Sequence, residues 1–149
     1  MGEQSIDGRP VLENSKAGSL VGEIALFYGS DSLTRQITKW ARKHPACTIR
    51  CSFAKVLPEI RLVLETADGA LIDATDDDAQ AVDAFSQAAG HLGTNAVAIY
   101  SEVMHEGVEL LVRSRGSQVL LGPLGETQWD GFFQQALQGG RGRSGRKAA

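Results

Sequence analysis

Short apolar runs alternate with helix-like segments along most of this 149-residue chain, and this alternation restricts the folds open to it. The apolar runs are bounded by glycine, proline or polar residues, which is typical of strands buried on both faces. Between them, apolar side chains recur three and four residues apart, which is typical of amphipathic helices. The predicted strands are residues 23–28, 48–52, 70–72, 95–100 and 117–121.

The predicted helices follow the strands one by one. Ser30-Asp31-Ser32 offers N-cap side chains, and Asp31 is predicted to cap the first helix. Pro58 indicates the first turn of the second helix, which therefore begins near Leu57. The remaining helices are predicted over residues 79–92, 106–114 and 126–137.

Strands that alternate with helices, with no hairpin signal between them, predict a parallel sheet covered on both faces. We therefore predict an α/β fold, a three-layer αβα sandwich with a five-stranded parallel sheet. In such sheets the functional crevice lies at the carboxyl ends of the strands. The candidate loops are those after Tyr28, Ser52, Ile72, Tyr100 and Leu121.

The ends of the chain differ from its middle in composition. Residues 1–22 are rich in Gly, Ser and Glu and are predicted to be a flexible leader to a domain at residues 23–138. Residues 139–149 form a Gly/Arg tail with four basic side chains and no acid. Four charges are few for a phosphate-binding surface, so nucleic-acid binding is not predicted.

Neither membrane insertion nor catalysis is indicated. No apolar stretch approaches the ~20 residues that span a bilayer, and no signal peptide is evident, so a cytoplasmic location is predicted. Cys47 and Cys51 are four residues apart, too far along one strand for a disulfide, and are predicted to be small buried residues. His44, His91 and His105 lie near predicted helix ends without an evident nucleophile. We predict no enzymatic activity, metal or cofactor.

Residues 96–137 carry the clearest family likeness. A strand ends in the hydroxyl residue Ser101, a helix closed by Gly116 follows, and the next strand leads into Gly122-Pro123 and a final helix. In this order and spacing the chain resembles the receiver domains of bacterial response regulators, over about residues 23–138. The resemblance implies a flavodoxin-like sheet with strand order 2-1-3-4-5.

The resemblance also assigns positions around a phosphorylation pocket. Asp73 is equivalent to the phosphoacceptor, and Ser101 keeps the hydroxyl position. Receivers hold Mg²⁺ with an acidic pair after the first strand, where this chain has Tyr28 and Gly29. The nearest acid there is Asp31.

Two further receiver positions have changed their chemistry. Receivers neutralise the phosphoryl oxygens with a lysine before the proline, where this chain has Gly122. Val119 stands at the aromatic switch position and cannot swing as an aromatic ring does. Asp73 therefore lacks its usual chemical partners.

We interpret the chain as a degenerate receiver, a phosphorylation-independent protein-interaction domain in signalling. A histidine kinase or another regulator is the expected kind of partner. One alternative is an atypical receiver phosphorylated at Asp73. Another is a flavin-binding protein, because residues 26–32 are similar to a flavodoxin phosphate loop. Leu33 and Arg35, however, stand where flavodoxins have glycine and a hydroxyl residue.

The final predicted helix carries an aromatic stripe of Trp129, Phe132 and Phe133. Helical spacing favours packing of these side chains against the sheet. An exposed stripe would instead offer a docking or dimer surface. Receivers often pair through the fourth and fifth helices and the fifth strand, so the resemblance implies a homodimer through this region.

Overall fold

The structure, a computed structural model, describes residues 20–28, 30–76, 78–103 and 105–148, with only the backbone described at residues 78 and 138–148. Strands and helices alternate throughout this part of the chain. The strands are β1 (Val21–Phe27), β2 (Thr48–Ala54), β3 (Gly69–Asp73), β4 (Val97–Ser101) and β5 (Gln118–Leu121). The α-helices are α1 (Asp31–Lys43), α2 (Ile60–Leu64), α3 (Asp78–Leu92), α4 (Glu106–Ser114) and α5 (Glu126–Ala148). Short 3-10 helices occupy Leu57–Glu59 and Thr94–Ala96.

The strands form one parallel sheet in the order β2-β1-β3-β4-β5. This arrangement confirms the predicted α/β fold and its 2-1-3-4-5 order. β1 pairs with β2 on one side and β3 on the other, so the first strand of the chain lies inside the sheet. The ends of β1, β3, β4 and β5 therefore meet along one edge.

Alternate side chains of the strands enter two separate cores. Ala25 and Phe27 of β1 face the core covered by α2, α3 and α4. Ile24 and Leu26 face the core covered by α1 and α5. Burying each large apolar side chain contributes roughly 1.5–3 kcal/mol, so both faces of the sheet stabilise the fold.

Ser30, not Asp31, caps α1. Ser30 has an extended backbone, and its side-chain oxygen accepts a hydrogen bond from the Leu33 amide at 3.2 Å. Asp31 is already the first helical residue, so the predicted cap lies one position too late. Asp31 still stabilises α1 as a negative charge in the first turn.

The aromatic stripe of α5 lies inside the protein. Trp129 and Phe132 are each 2% exposed and Phe133 is fully buried. Their rings pack on one another, with 5.7 Å between the centres of Trp129 and Phe133. Core packing, which their helical spacing favoured, therefore explains these residues, and they are too buried to form the exposed docking or dimer surface considered as the alternative.

The first strand begins before the predicted domain of residues 23–138, and the last helix continues past its end. β1 begins at Val21, two residues before the predicted strand, and the leader residues 1–19 lie outside the described part of the chain. α5 continues to Ala148, so its backbone runs through residues assigned to the basic tail. Side chains 138–148 lie outside the description, and the role of the tail stays a prediction.

Leu137 of α5 packs against Gly22 at the start of β1. A Cβ on Gly22 would lie 2.3 Å from Leu137 Cδ2, so any larger residue there requires the buried Leu137 side chain to shift. Cys47 and Cys51 are half-buried rather than buried, and neither forms a disulfide. No helix within the described residues is long and apolar enough to cross a bilayer.

Candidate functional site

Asp73 lies at the carboxyl edge of the sheet, as the last residue of β3. Its side chain is almost fully buried, with 3% of the residue exposed. Oδ2 accepts a hydrogen bond from the Ser30 amide at 3.1 Å, and Oδ1 accepts one from the Thr75 amide at 2.9 Å. Backbone amides therefore bind both oxygens, and the hydrogen bond from Ser30 joins the end of β3 to the start of α1.

Tyr28 and Gly29, which the resemblance equates with the receiver acidic pair, carry no carboxylate. Tyr28 has a left-handed backbone with φ of 60° and a side chain packed against the α2–α4 core. Gly29 lies outside the described residues. Asp31 is exposed on α1. Within the described part of the chain, no group of three metal-binding side chains includes Asp73. A Mg²⁺ ion needs several oxygen ligands, which these positions do not supply.

The Ser101 hydroxyl is engaged within its own turn. Ser101 is buried at the end of β4. Its hydroxyl accepts a hydrogen bond from the Val103 amide at 3.1 Å and donates its only proton to the Val103 carbonyl. The hydroxyl therefore stabilises the β4–α4 loop instead of facing Asp73 as a free donor.

Gly122, which the resemblance equates with the receiver lysine, lies directly against the ring of Tyr100. A Cβ built on Gly122 would lie 2.3 Å from Cε1 and 2.4 Å from the hydroxyl oxygen of Tyr100. The Gly122 amide donates to the Ser101 carbonyl at 3.0 Å, which fixes this close approach. Any side chain at Gly122 requires Tyr100 to move.

Tyr100 itself is held by hydrogen bonds on two sides. Its hydroxyl accepts a proton from Gln36 Nε2 at 2.7 Å and donates to Glu102 at 2.6 Å. Gln36 Oε1 also accepts from the Leu124 amide at 2.8 Å. These bonds connect α1, β4 and the β5–α5 loop across the edge of the sheet.

This network changes the ionisation of its members. Burial raises the pKa of the Tyr100 hydroxyl to about 12, and its hydrogen bond to Glu102 adds to the rise. Hydrogen bonds from Ser32 and Tyr100 lower the pKa of the exposed Glu102 carboxyl, with a further contribution from Arg35. The edge therefore holds a neutral tyrosine beside a carboxylate, a pair that offers little attraction to a phosphoryl anion.

Sequence reasoning placed Asp73, Ser101 and Gly122 at one edge, and the structure brings them there. It missed Tyr100 and Gln36, which lie 64 residues apart. Val119, at the switch position, packs half-buried against the α2–α4 core.

Comparison with known proteins gives structural likeness alone. No family model matches the chain, and no curated protein matches it. The BeF3-activated receiver domain of DrrB superposes with a TM-score of 0.58 at 11% identity, covering 80% of this chain and 99% of that one. The chain has a receiver-like fold.

Two pilus assembly proteins share the receiver-like fold. CpaE from Caulobacter crescentus superposes with a TM-score of 0.56 at 16% identity, covering 75% of this chain and 90% of that one. CpaE2 from Sinorhizobium meliloti has the same TM-score and identity, covering 76% and 98%. Identities this low establish the fold, so the chemistry must be argued from the residues at the sheet edge.

Proposed function

We propose that the chain is a degenerate receiver-like domain that binds a protein partner in signalling without taking up a phosphoryl group. One observation carries the proposal: the Tyr100 ring fills the space that a lysine at position 122 would need. Phosphoryl transfer depends on positioning and on neutralising the charge of the transferred group. Asp73 has neither a lysine nor an acidic pair to provide this.

The flavin alternative has less support. The Leu33 side chain is buried in the α1–α5 core, and its amide proton is already donated to Ser30. A phosphate group at the start of α1 would have to compete with this cap and with the bond from the Ser30 amide to Asp73. Purified protein is expected to show no flavin absorbance.

Phosphoryl uptake is the deciding experiment. The full chain is incubated with Mg²⁺ and acetyl phosphate, or with fluoroberyllate, and followed by intact mass and amide NMR shifts. A working receiver in a parallel reaction verifies the reagents, and Asp76→Asn serves as a matched control for Asp73→Asn. We expect no added mass and no saturable shifts. Mg²⁺-dependent uptake that is lost only in Asp73→Asn would show an atypical receiver instead.

The partner is proposed from the fold and its neighbours. Histidine kinases and regulators are the first candidates, and components of pilus assembly systems follow because two proteins so named share the fold. Binding of a purified candidate, measured by calorimetry, is expected to be equal for the natural chain and Asp73→Asn. Binding that requires acetyl phosphate would contradict phosphate independence. Light scattering tests the proposed homodimer.

A further inference from the structure

His44 at the end of α1 has a fixed orientation. The ring is buried and stacked on Trp40, with 4.0 Å between ring centres. Its Nδ1 lies 2.8 Å from the Trp40 carbonyl oxygen. A carbonyl can only accept a hydrogen bond, so Nδ1 carries a proton in the neutral ring. Nε2 then presents its lone pair on the opposite side of the ring. Metal-binding histidines commonly have this arrangement, in which one ring nitrogen donates its proton to a carbonyl and the other binds the metal.

Two carboxylates face that lone pair. Nε2 lies 3.4 Å from Asp130 Oδ1 and 3.5 Å from Glu126 Oε2. Each of the three residues thus offers one ligand atom, and these atoms lie within 4.8 Å of one another. Three electron-rich atoms this close are stabilised by a positive charge between them, either a proton on Nε2 or a metal cation.

The distances are compatible with a bound cation. A charge-assisted N–H···O bond is about 2.7–2.9 Å long, shorter than either separation seen here. A cation bonded to nitrogen and oxygen at about 2.1 Å in a tetrahedron holds those two atoms about 3.4 Å apart. Both observed distances match that spacing.

We propose that His44, Glu126 and Asp130 bind a divalent transition-metal ion, with Zn²⁺ as the best match. One imidazole and two carboxylates are common Zn²⁺ ligands, and three protein ligands leave a fourth position open. Glu126 and Asp130 are four residues apart on α5 and therefore share a face. Trp40 contacts the site twice: its carbonyl orients His44, and its indole N–H donates at 2.7 Å to Asp130 Oδ1, the oxygen that also faces His44.

A cavity adjoins the site on the side of Glu126. It has a volume of about 260 Å³ and is lined in part by Trp40, Lys43 and Glu126. Lys43 Nζ lies 3.8 Å from Glu126 Oε1, which is the oxygen turned away from His44. The side chain of this lysine is more than half exposed. Neither His44 nor Asp130 lines the cavity, so solvent reaches the site from the side of the exposed Glu126.

The site is separate from the Asp73 edge. Asp73 contacts the residue before α1, whereas His44 follows its last residue. A helix of this length places the two ends about 20 Å apart. The bound ion would join the end of α1 to the first turns of α5. The proposed metal site therefore does not depend on whether Asp73 takes up a phosphoryl group.

Zinc titration of the full chain, free of any histidine tag and stripped with EDTA, tests the proposal. Calorimetry with ZnCl₂ is expected to show one site. Removing even an outer partner of a metal ligand costs about 10–100-fold in affinity, so His44→Asn is expected to weaken binding by at least about 100-fold. Glu126→Gln should also weaken binding. His91→Asn, at an exposed position on α3, is the matched control and should bind normally.

A second measurement, made on the natural chain, tests the site even where a variant fails to fold. In the natural chain, histidine ring NMR should show Zn²⁺ shifting His44 alone, and Co²⁺ should give the visible absorption of a tetrahedral complex. Circular dichroism verifies the fold of each variant. The proposal is overturned by an absence of saturable Zn²⁺ binding, by full affinity in folded His44→Asn, or by shifts confined to His91 or His105.

Discussion

At the scale of single residues, Tyr100 restricts which side chains position 122 can hold, because its ring occupies the space beside Gly122. Gly122→Lys is therefore expected to lower the free energy of unfolding by about 1–3 kcal/mol, the usual effect of overpacking. Urea denaturation measures the loss. Gly125→Lys is the matched control, since a Cβ there meets only Gln128 Oε1 at 3.9 Å. Equal stability of the two variants would show that Tyr100 moves freely.

The raised pKa of Tyr100 predicts a pH dependence of stability. The hydroxyl ionises near pH 10 in the unfolded chain and near 12 in the folded protein. Below pH 10 both states keep the proton, so ionisation of Tyr100 does not lower the free energy of unfolding. Between pH 10 and 12 the unfolded state loses its proton first, and stability falls as pH rises.

Tyr100→Phe tests this dependence. The variant is expected to be less stable by about 1–2 kcal/mol at neutral pH, because two hydrogen bonds are lost. The difference between the two proteins should shrink as pH rises from 10 to 12. Urea denaturation across this range measures it, and a difference that stays constant would contradict the prediction.

Prediction from sequence succeeded for residues whose role follows from their place in an element. Asp73, Ser101 and Gly122 could be located because each ends or follows a strand. The Tyr100–Gln36 contact could not, since no local pattern relates two positions separated by 64 residues. The same is true of His44 and the two α5 carboxylates, which meet only after α1 and α5 pack on one face of the sheet.

At the scale of elements, some glycines have open space beside them and others are tightly packed. A Cβ on Gly90 of α3 or Gly131 of α5 would meet nothing within 4 Å. Each Gly→Ala change there is expected to raise the free energy of unfolding by about 0.5–1 kcal/mol. Gly69→Ala is the contrast, because its Cβ would lie 2.8 Å from Ala136 Cβ and should destabilise the protein. Thermal denaturation of the three variants checks the order.

The boundaries of elements were predicted less well than their existence. The fourth strand was predicted from residue 95, but Thr94–Ala96 form a 3-10 turn and β4 begins at Val97. Gly93, with φ of 93°, redirects the chain just before that turn. A short apolar run does not reveal such a turn, because the buried Ala96 looks like a strand residue in either case.

At the scale of the whole molecule, the order of the strands predicts unequal protection from hydrogen exchange. β3 and β4 are buried along their whole length, whereas β2 lies at the edge and exposes half of Phe53. Amides of β3 and β4 should exchange only on global unfolding, and those of β2 by local opening at lower free energy. Exchange followed by NMR tests this, and protection of β2 equal to β3 would refute it.

The contact between Gly22 and Leu137 also bears on synthesis of the protein. A growing chain makes β1 early, but the side chain that covers its start is added more than a hundred residues later. Until α5 has left the ribosome, α1 alone covers this face of the sheet. Completion of this core therefore waits for α5, and a stall before residue 137 would leave this face of the sheet only partly covered.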